Sequence, residues 1–453
     1  MFALKFGGTS VGSGEAILQV ADIVIQRGFD KGAQPVVVTS AMAGATDRLL
    51  EALQSAFQGQ KNKVKESIIL LRRQHVEAIE KTLSVKYQEP VLAYLDEQIK
   101  YLENLLFAIH IIGEISPASH DAVCAIGEKL SSRILTAVLE ERGYPAAHAD
   151  LAEAVQTKEK EANGAFFEIA RQQIGKLISV HLKNKKIVVA TGFLGKIPGG
   201  ILKSVGRGYS DFTTALIGAA LKAREIQIWK EVDGILTADP RIVPNAKLLK
   251  DISYEAAAEL AYFGAKVIHP KTIWPAIKFK IPVRILNTFK PKNPGTLMVE
   301  KIKDDVPVRT FSNKKGVTLI NITSYRMLMA YGFLAKIFAI FEKYQASVDI
   351  VSTSEVSVSL TISDATNLKF ILAELKELGT VEVRKDKAII CIVGHGMKNQ
   401  PGIAGRIFSL LGKNKISVEV ISQGASEINI SCVINEKDMI KAIQLLHAEF
   451  VEK

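Results

Sequence analysis

Short apolar runs alternate with stretches of helical period through the first two thirds of the chain. Residues 3–6 (ALKF) read as a strand, and 15–27 (EAILQVADIVIQR) carry apolar residues at the spacing of one helix face, ending at Gly28. The valine run at 35–39 (PVVVT) predicts a buried strand, followed by a glycine-containing turn and a helix near Asp47. Residues 61–113 are charged but helical in period and predict a helical excursion. Strand signals return at 187–190, 225–229 and 281–286, with helical patterns around 211–223 and 253–263. This alternation predicts an α/β fold, an open and mostly parallel sheet sandwiched by helices. The stretch FKPKNPGT (289–296) reads as a loop and a domain boundary, giving a first domain over 1–296.

The remainder carries an internal repeat. Residues 315–322, 332–344, 347–353, 356–362, 365–378 and 380–384 read as strand, helix, strand, strand, helix, strand. Residues 388–394, 402–414, 416–421, 427–434 and 436–447 repeat that order and stop before a fourth strand. A spare strand at 306–312 (VPVRTFS) is expected to cross over and complete the second copy. The pattern predicts two α+β ferredoxin-like domains, 313–385 and 386–453, of a kind that binds free amino acids.

Composition narrows the class. With 453 residues, 48% hydrophobic and 23% charged, the chain has material for two or three globular cores. It has no apolar run of membrane-spanning length, and its N-terminus lacks the layout of a secretory signal. Three cysteines without CxxC spacing fit reduced thiols in a cytoplasmic compartment. The net charge of +11 is spread along the chain in short clusters such as HLKNKK (181–186), without an RNA-binding signature, so neither nucleic acid nor membrane is an expected partner.

Two glycine-rich turns carry candidate chemistry. Lys5-Phe6-Gly7-Gly8-Thr9-Ser10 follows a strand and precedes a helix, where backbone N–H groups can hold phosphate oxygens and Lys5 can bring a cation to a transferring group. Read alone, it is equally a tight turn beside a surface lysine. Thr191-Gly192-Phe193 ends another strand, and Gly206-Arg207-Gly208-Tyr209-Ser210-Asp211 opens a helix. Arg207 can hold a carboxylate bidentately, while Asp211 can cap the helix or organise reacting groups. Phosphoryl transfer needs such cations and positioning donors more than covalent help.

In order along the chain, KFGGTSVG (5–12), TSAMAGAT (39–46), GEKLSS (127–132), GRGYSD (206–211), VDGILTADPRIVPNAK (232–247) and FGAKVIHP (263–270) resemble the motifs of aspartate kinases. These have an amino-acid-kinase fold followed by two ACT domains, and the resemblance covers essentially the whole chain. It implies that ATP with Mg²⁺ and L-aspartate are substrates, in the first step toward lysine, threonine and methionine. Lys5, Asp211 and Lys266 would be catalytic, and Ser40, Thr46, Glu128, Arg207 and Ser210 would hold aspartate. Arg207 would take its α-carboxylate and Glu128 its α-ammonium, although Glu128 taken alone could equally be a solvated carboxylate at a helix start. Lys5, Phe6, Gly7, Gly8, Lys230, Glu231, Leu236, Arg241, Lys266 and Val267 would line the ATP site, with no metal ligand set assigned and His269 read as structural.

The same resemblance implies a lysine site in the first ACT domain at Met327, Phe333, Leu334, Ser347, Val348, Asp349, Ser354 and Glu355, with threonine the other candidate effector. It implies a homodimer, or dimer of dimers, joined through ACT domains. Met329 and Ala330 stand where polar residues are common. Tyr209 stands where the family usually has glycine and is expected to narrow the substrate entrance; Lys230, Glu231 and Leu236 also depart from common residues. The competing readings are an acetylglutamate or glutamate kinase, and an amino-acid sensor whose kinase half has decayed. The length leaves no room for a fused dehydrogenase.

Overall fold

The valine run becomes an inner strand in which all of Pro35–Thr39 is buried, because a parallel strand covered on both faces leaves no place for polar alternation. This computed structural model describes every residue except 28–31, 156–165, 196–198, 202–207, 264–269, 303–305, 329–330, 398–399, 425–427 and 453. The chain divides into two units. The first comprises Met1–Ile235, Lys250–Tyr254 and Val267–Glu300; the second comprises Leu236–Leu249, Glu255–Lys266 and Lys301–Lys453.

The first unit holds an eight-stranded sheet of β1 (Phe2–Phe6), β2 (Pro35–Thr39), β3 (Ala146–Ala149), β4 (Ile187–Thr191), β5 (Glu225–Lys230), β6 (Asp251–Ser253), β7 (Val283–Asn287) and β8 (Thr296–Val299). Their order is β3-β4-β2-β1-β5-β7-β8-β6. Pairing is parallel except between β7 and β8. β1 sits at the centre with β2 on one side and β5 on the other. Such a switch point opens a crevice at the carboxyl ends of the strands, where ligands of open α/β sheets bind.

Helices α1 (Gly14–Arg27), α2 (Ala45–Phe57), α3 (Lys61–Thr82), α4 (Val85–Ile112), α5 (Pro117–Glu141), α6 (Phe166–Lys183) and α7 (Tyr209–Leu221) follow in the chain, then α8 (Tyr254–Tyr262) and α9 (Pro270–Phe279). The charged excursion at 61–113 is the pair α3 and α4, which turn Leu71, Leu95, Leu102 and Leu106 into one core with Leu4, Ile17 and Val37. Helix α5 starts from a serine cap, with Ser116 Oγ accepting from Ser119 N and Pro117 at the first turn. Seventeen of its 25 residues are buried, so it runs through the unit rather than over it.

The second unit is built on one antiparallel sheet of β9 (Thr310–Thr323), β10 (Val348–Thr353), β11 (Ser357–Ile362), β12 (Thr380–Val393), β13 (Val418–Ser422) and β14 (Asn429–Asn435), in the order β10-β11-β9-β12-β14-β13. Helices α10 (Phe333–Lys343), α11 (Leu368–Leu378), α12 (Ile403–Lys413) and α13 (Met439–His447) cover it. The sequence reads 306–312 and 315–322 as two strands, and 380–384 and 388–394 as two more. In the structure β9 and β12 each run unbroken, and β9 begins at Thr310. Residues 310–314 pair with 389–393, and 317–323 pair with 380–387. The register shifts between Arg384 and Ile389, opposite Gly316 at φ 69°, so one irregularity absorbs the passage from copy to copy.

Two stretches that precede residue 296 in the chain pack within the second unit. Ala238, Ile242 and Val243 pack among Ile390, Ile407, Leu411 and Ile443, in the core of the second repeat. Thr237 Oγ1 meets the buried His447 Nε2 at 2.8 Å, and His447 Nδ1 meets Glu452 at 2.8 Å. Beyond its first residue α8 belongs here as well: Glu259 accepts from Asn429 Nδ2 at 2.6 Å, and the Tyr262 hydroxyl donates to the Val348 carbonyl at 3.0 Å. The first repeat has its own core of Ile320, Phe333, Ile337, Leu360 and Ile371.

Candidate active site and effector pocket

Lys5 lies near the end of β1, opposite Val38 and Ile228 of the neighbouring strands. Its ammonium reaches Asp211 Oδ1 at 2.7 Å, and Lys230, the last residue of β5, reaches Oδ2 at 3.2 Å. Burial pushes the Asp211 carboxyl up, but the two ammonium groups outweigh it and hold the pKa below its usual value. An aspartate this buried is stable as an anion only with such partners.

The glycines after β1 bring backbones together rather than opening a helix. Gly7 N donates to the Trp229 carbonyl at 3.1 Å, and Gly8 O accepts from Ala43 N at 3.1 Å. A Cβ on Gly8 would stand 2.9 Å from the Ala41 carbonyl oxygen, so only glycine allows this approach. A single 3₁₀ turn at Thr9–Val11 follows, and α1 begins at Gly14, close to the start read at residue 15. Phe6 is wholly buried and stacks on Trp229 at 5.7 Å, a packing residue beneath the turn.

Glu128 sits in the middle of α5 and is fully buried. That removes the alternative of a solvated carboxylate at a helix start. Its Oε1 accepts from Ser210 Oγ at 2.9 Å, and Ser210 accepts in turn from Ser40 Oγ at 3.1 Å. Oε2 has no hydrogen-bond partner among the described residues. Burial raises the Glu128 pKa to about 8, against the weaker pull of Ser210, Lys5 and Tyr209. Gly192, at the end of β4, makes room: a Cβ there would stand 2.7 Å from Ser210 Cβ and 2.9 Å from Glu128 Oε1. Ser210 and Asp211 are consecutive in α7, so one turn of helix joins the Glu128 cluster to the Lys5–Lys230 cluster.

Sequence reading places Tyr209 at an entrance. The structure instead buries its ring edge-on against Phe193, centroids 5.2 Å apart. Sequence reading also passes over Asp121, two turns before Glu128 on α5, whose Oδ2 accepts from Ile201 N at 2.7 Å. No local pattern signals either contact.

Other assigned residues spread more widely. Thr46 is partly buried in the first turn of α2. Glu231 is exposed and accepts from Thr9 Oγ1 at 2.7 Å. The segment after β5 is tied down where Asn287 Nδ2 donates to Asp233 at 2.6 Å and Lys290 pairs with Asp233 at 3.0 Å. Leu236 and Arg241 belong to the second unit. There the Leu236 carbonyl accepts from Thr310 Oγ1, and Arg241 folds back on Asp239 at 2.6 Å. Arg207, Lys266, Val267 and His269 lie outside the described residues, as do Met329 and Ala330. Among the described residues no group of three or more His, Cys, Asp or Glu could hold a metal.

In the second unit Met327, Gly332, Phe333, Leu334, Thr353, Ser354 and Glu355 line a cavity of about 600 Å³. Gly332, at φ 75°, turns the chain into α10 beside it. Ser347, Val348 and Asp349 do not line this cavity. The Asp349 carboxylate is taken by Lys314 at 2.7 Å and Ser363 at 2.5 Å, while Val348 packs against the core of the first repeat. Met327, Phe333, Leu334, Ser354 and Glu355 are brought together; Val348 and Asp349 belong to β10, and Ser347 directly precedes it.

Among the described residues no helix is long and apolar enough to cross a membrane. Residues 1–287 match the amino acid kinase family and 390–450 match an ACT domain. The aspartokinase of Candida albicans is 38% identical over 492 residues, covering 99% of this chain and 89% of its own. The structure of E. coli aspartokinase III in complex with aspartate and ADP superimposes with a TM-score of 0.81 at 30% identity, covering 100% of both chains. The structure of the same enzyme with lysine and aspartate gives 0.80 at 31%, covering 100% of this chain and 99% of that one. With its amino acid kinase region, its ACT-type regulatory sheet and this similarity along its whole length, the chain belongs to the aspartokinases, ATP-dependent phosphotransferases of the amino acid kinase family.

Proposed function

We propose that the chain moves the γ-phosphoryl of ATP onto the β-carboxylate of L-aspartate, giving ADP and 4-phospho-L-aspartate, and that lysine restrains it. The observation that carries this reading is the pair of buried carboxylates joined through Ser210 and Asp211. One is clamped between two lysines; the other keeps an oxygen free of any described partner. The first arrangement suits phosphate and the second suits an ammonium group.

In this reading Glu128 receives the α-ammonium, with Ser40, Thr46 and Ser210 beside it, and Arg207 takes the α-carboxylate. That opposite-charge pair rejects acceptors lacking either group, an acetylated amine included. Lys5 and Lys230 face the transferring phosphoryl, with Lys266 completing the set. Asp211 holds the lysines and acts as no base, since the substrate carboxylate is already an anion at neutral pH. A β-carboxylate oxygen attacks the γ-phosphorus in line; the new O–P bond forms as the bond to the β-phosphate oxygen breaks and ADP leaves. Magnesium bound to the nucleotide would neutralise β- and γ-oxygens.

Lysine is assigned to the cavity at 327–355, with Glu355 rather than the occupied Asp349 as the acceptor for an ammonium group. It inhibits by binding a less active state more tightly, so substrates preferring the active state weaken it reciprocally. Tyr325, Tyr331 and Leu334 are exposed and suit a dimer through the first ACT domain, taken as 313–385, with the second as 386–453 plus 306–312. The buried free thiols Cys124, Cys391 and Cys432 suit a reducing cytoplasm.

The test is ADP release from purified protein with MgATP and L-aspartate, titrated with lysine and separately with threonine. Aspartate-dependent turnover inhibited by lysine is expected. Inhibition by threonine alone would replace the effector, and turnover with glutamate or acetylglutamate but not aspartate would overturn the substrate.

A further inference from the structure

Beside the glycine turn, two hydroxyls meet where apolar side chains would pack. Ser10 and Thr288 are wholly buried, and their Oγ and Oγ1 atoms stand 2.7 Å apart. Val11 and Leu286, close to them in the chain, are just as buried and are apolar. A hydroxyl taken out of water costs free energy unless it is paired, so alanine facing valine would serve packing at least as well. Ser10 lies in the 3₁₀ turn that follows Gly7 and Gly8, and Thr288 directly follows β7. Thr288 also donates its N–H to the Lys230 carbonyl at 2.9 Å. One residue thus holds the strand end that carries Lys230 by its backbone and the glycine turn by its side chain.

We propose that Ser10 and Thr288 are positioning residues for the nucleotide: their hydroxyl pair fixes the glycine turn against the end of β5, so that the turn and the Lys230 ammonium meet the phosphates in one geometry. This rests on the assignment of that turn and of Lys230 to ATP. The sheet order runs β1-β5-β7, so the pair links the two strands that flank β5. Thr9 Oγ1 also ties the turn down, donating to Glu231 at 2.7 Å, but that bond is exposed and water offers the same partners. The Ser10–Thr288 bond lies out of reach of water and joins positions 278 apart in the chain.

Ser10→Ala combined with Thr288→Val removes both hydroxyls and orphans neither partner, so the melting temperature should stay close to the parent's. KM for ATP should nevertheless rise about tenfold, as a binding turn held less tightly implies. KM for L-aspartate should stay within about twofold. Packing alone predicts that neither KM moves in a chain that melts normally. Thr288→Val by itself leaves the Ser10 hydroxyl unpaired and should melt lower with the same rise in KM for ATP. Thr288→Ser keeps a hydroxyl and should bring that KM back to within about twofold of the parent. An unchanged KM for ATP in the double variant, equal rises for both substrates, or a Thr288→Ser variant as impaired as Thr288→Val overturns the inference. If the double variant does not fold, Ser10→Ala alone is read by the same split of KM values. Lys5→Ala run alongside separates the levels. If it loses turnover while the double variant is unchanged, only this inference fails; if its turnover is near normal, the assignment of the turn to phosphate fails with it.

Discussion

Lys5 Nζ stands 2.7 Å from Asp211 Oδ1 with both side chains buried, and the aspartate's other oxygen is held by Lys230. The two lysines therefore share the neutralisation of one buried carboxylate. Lys5→Ala should lower kcat by about a thousandfold or more, as loss of a preorganised cation does. It should nevertheless fold, because Lys230 still compensates the anion. Removing both lysines strands a buried carboxylate and should cost about 3–5 kcal/mol. Circular dichroism melts and ADP release on the three variants check this; a Lys5→Ala variant with near-normal turnover would refute the role.

Glu128 makes stability depend on pH in a predictable direction. Its carboxyl stands near 8 when folded, against an ordinary value of 4.5. Between those values the folded chain keeps a proton that the unfolded chain has lost. Stability therefore falls as pH rises from about 4.5 to 8, by up to about 5 kcal/mol in full. Glu128→Gln does not titrate, so its advantage in melting temperature over the parent should grow from pH 5 to 8 and then level off. A gap constant across that range would contradict the burial argument.

Gly192 has no room for a side chain beside the Ser210–Glu128 pair. A methyl group there meets Ser210 and Glu128 closer than van der Waals contact allows. Gly192→Ala should cost about 1–3 kcal/mol by overpacking. It should raise KM for aspartate far more than KM for ATP, and steady-state kinetics with each substrate varied would show equal effects if the cluster served packing alone.

The effector cavity can be separated from catalysis. Glu355→Gln removes a charge from an exposed wall of the cavity in the second unit. The concentration of lysine giving half inhibition should rise about tenfold or more, with uninhibited kcat unchanged, as loss of one charge-assisted contact implies. Asp349→Asn should instead act through Lys314 and Ser363, lowering the melting temperature.

Much of the fold is legible where periodicity is strong. The strands at 35–39 and 187–191 and the helix at 14–27 show their burial in the letters themselves. The strand at 146–149, AAHA, has no β-branched residue to announce it. The long strands β9 and β12 read as broken because Lys314, Lys315, Gly316, Lys385 and Asp386 interrupt their apolar runs where one repeat passes into the other. In the site, motif order singles out Lys5, Glu128 and Asp211. The burial of Glu128 stays hidden because α5 is surrounded on all sides, so small residues such as Ala125, Gly127 and Ser131 blur its period. Its contact with Ser210 joins positions 82 apart in the chain, a separation no local signal spans.

The segment 236–249 leaves the kinase sheet and gives Ala238, Ile242 and Val243 to the core of the last repeat, with Thr237 seated on His447. These two halves are consequently not interchangeable cassettes. A chimera joined at the linker near residue 300 would pair one parent's loop with the other's core, and its fitness would hang on a handful of side chains far from the junction. For the same reason, a lineage that discarded its regulatory half would first have to rewrite this loop, whose apolar residues have no other shelter.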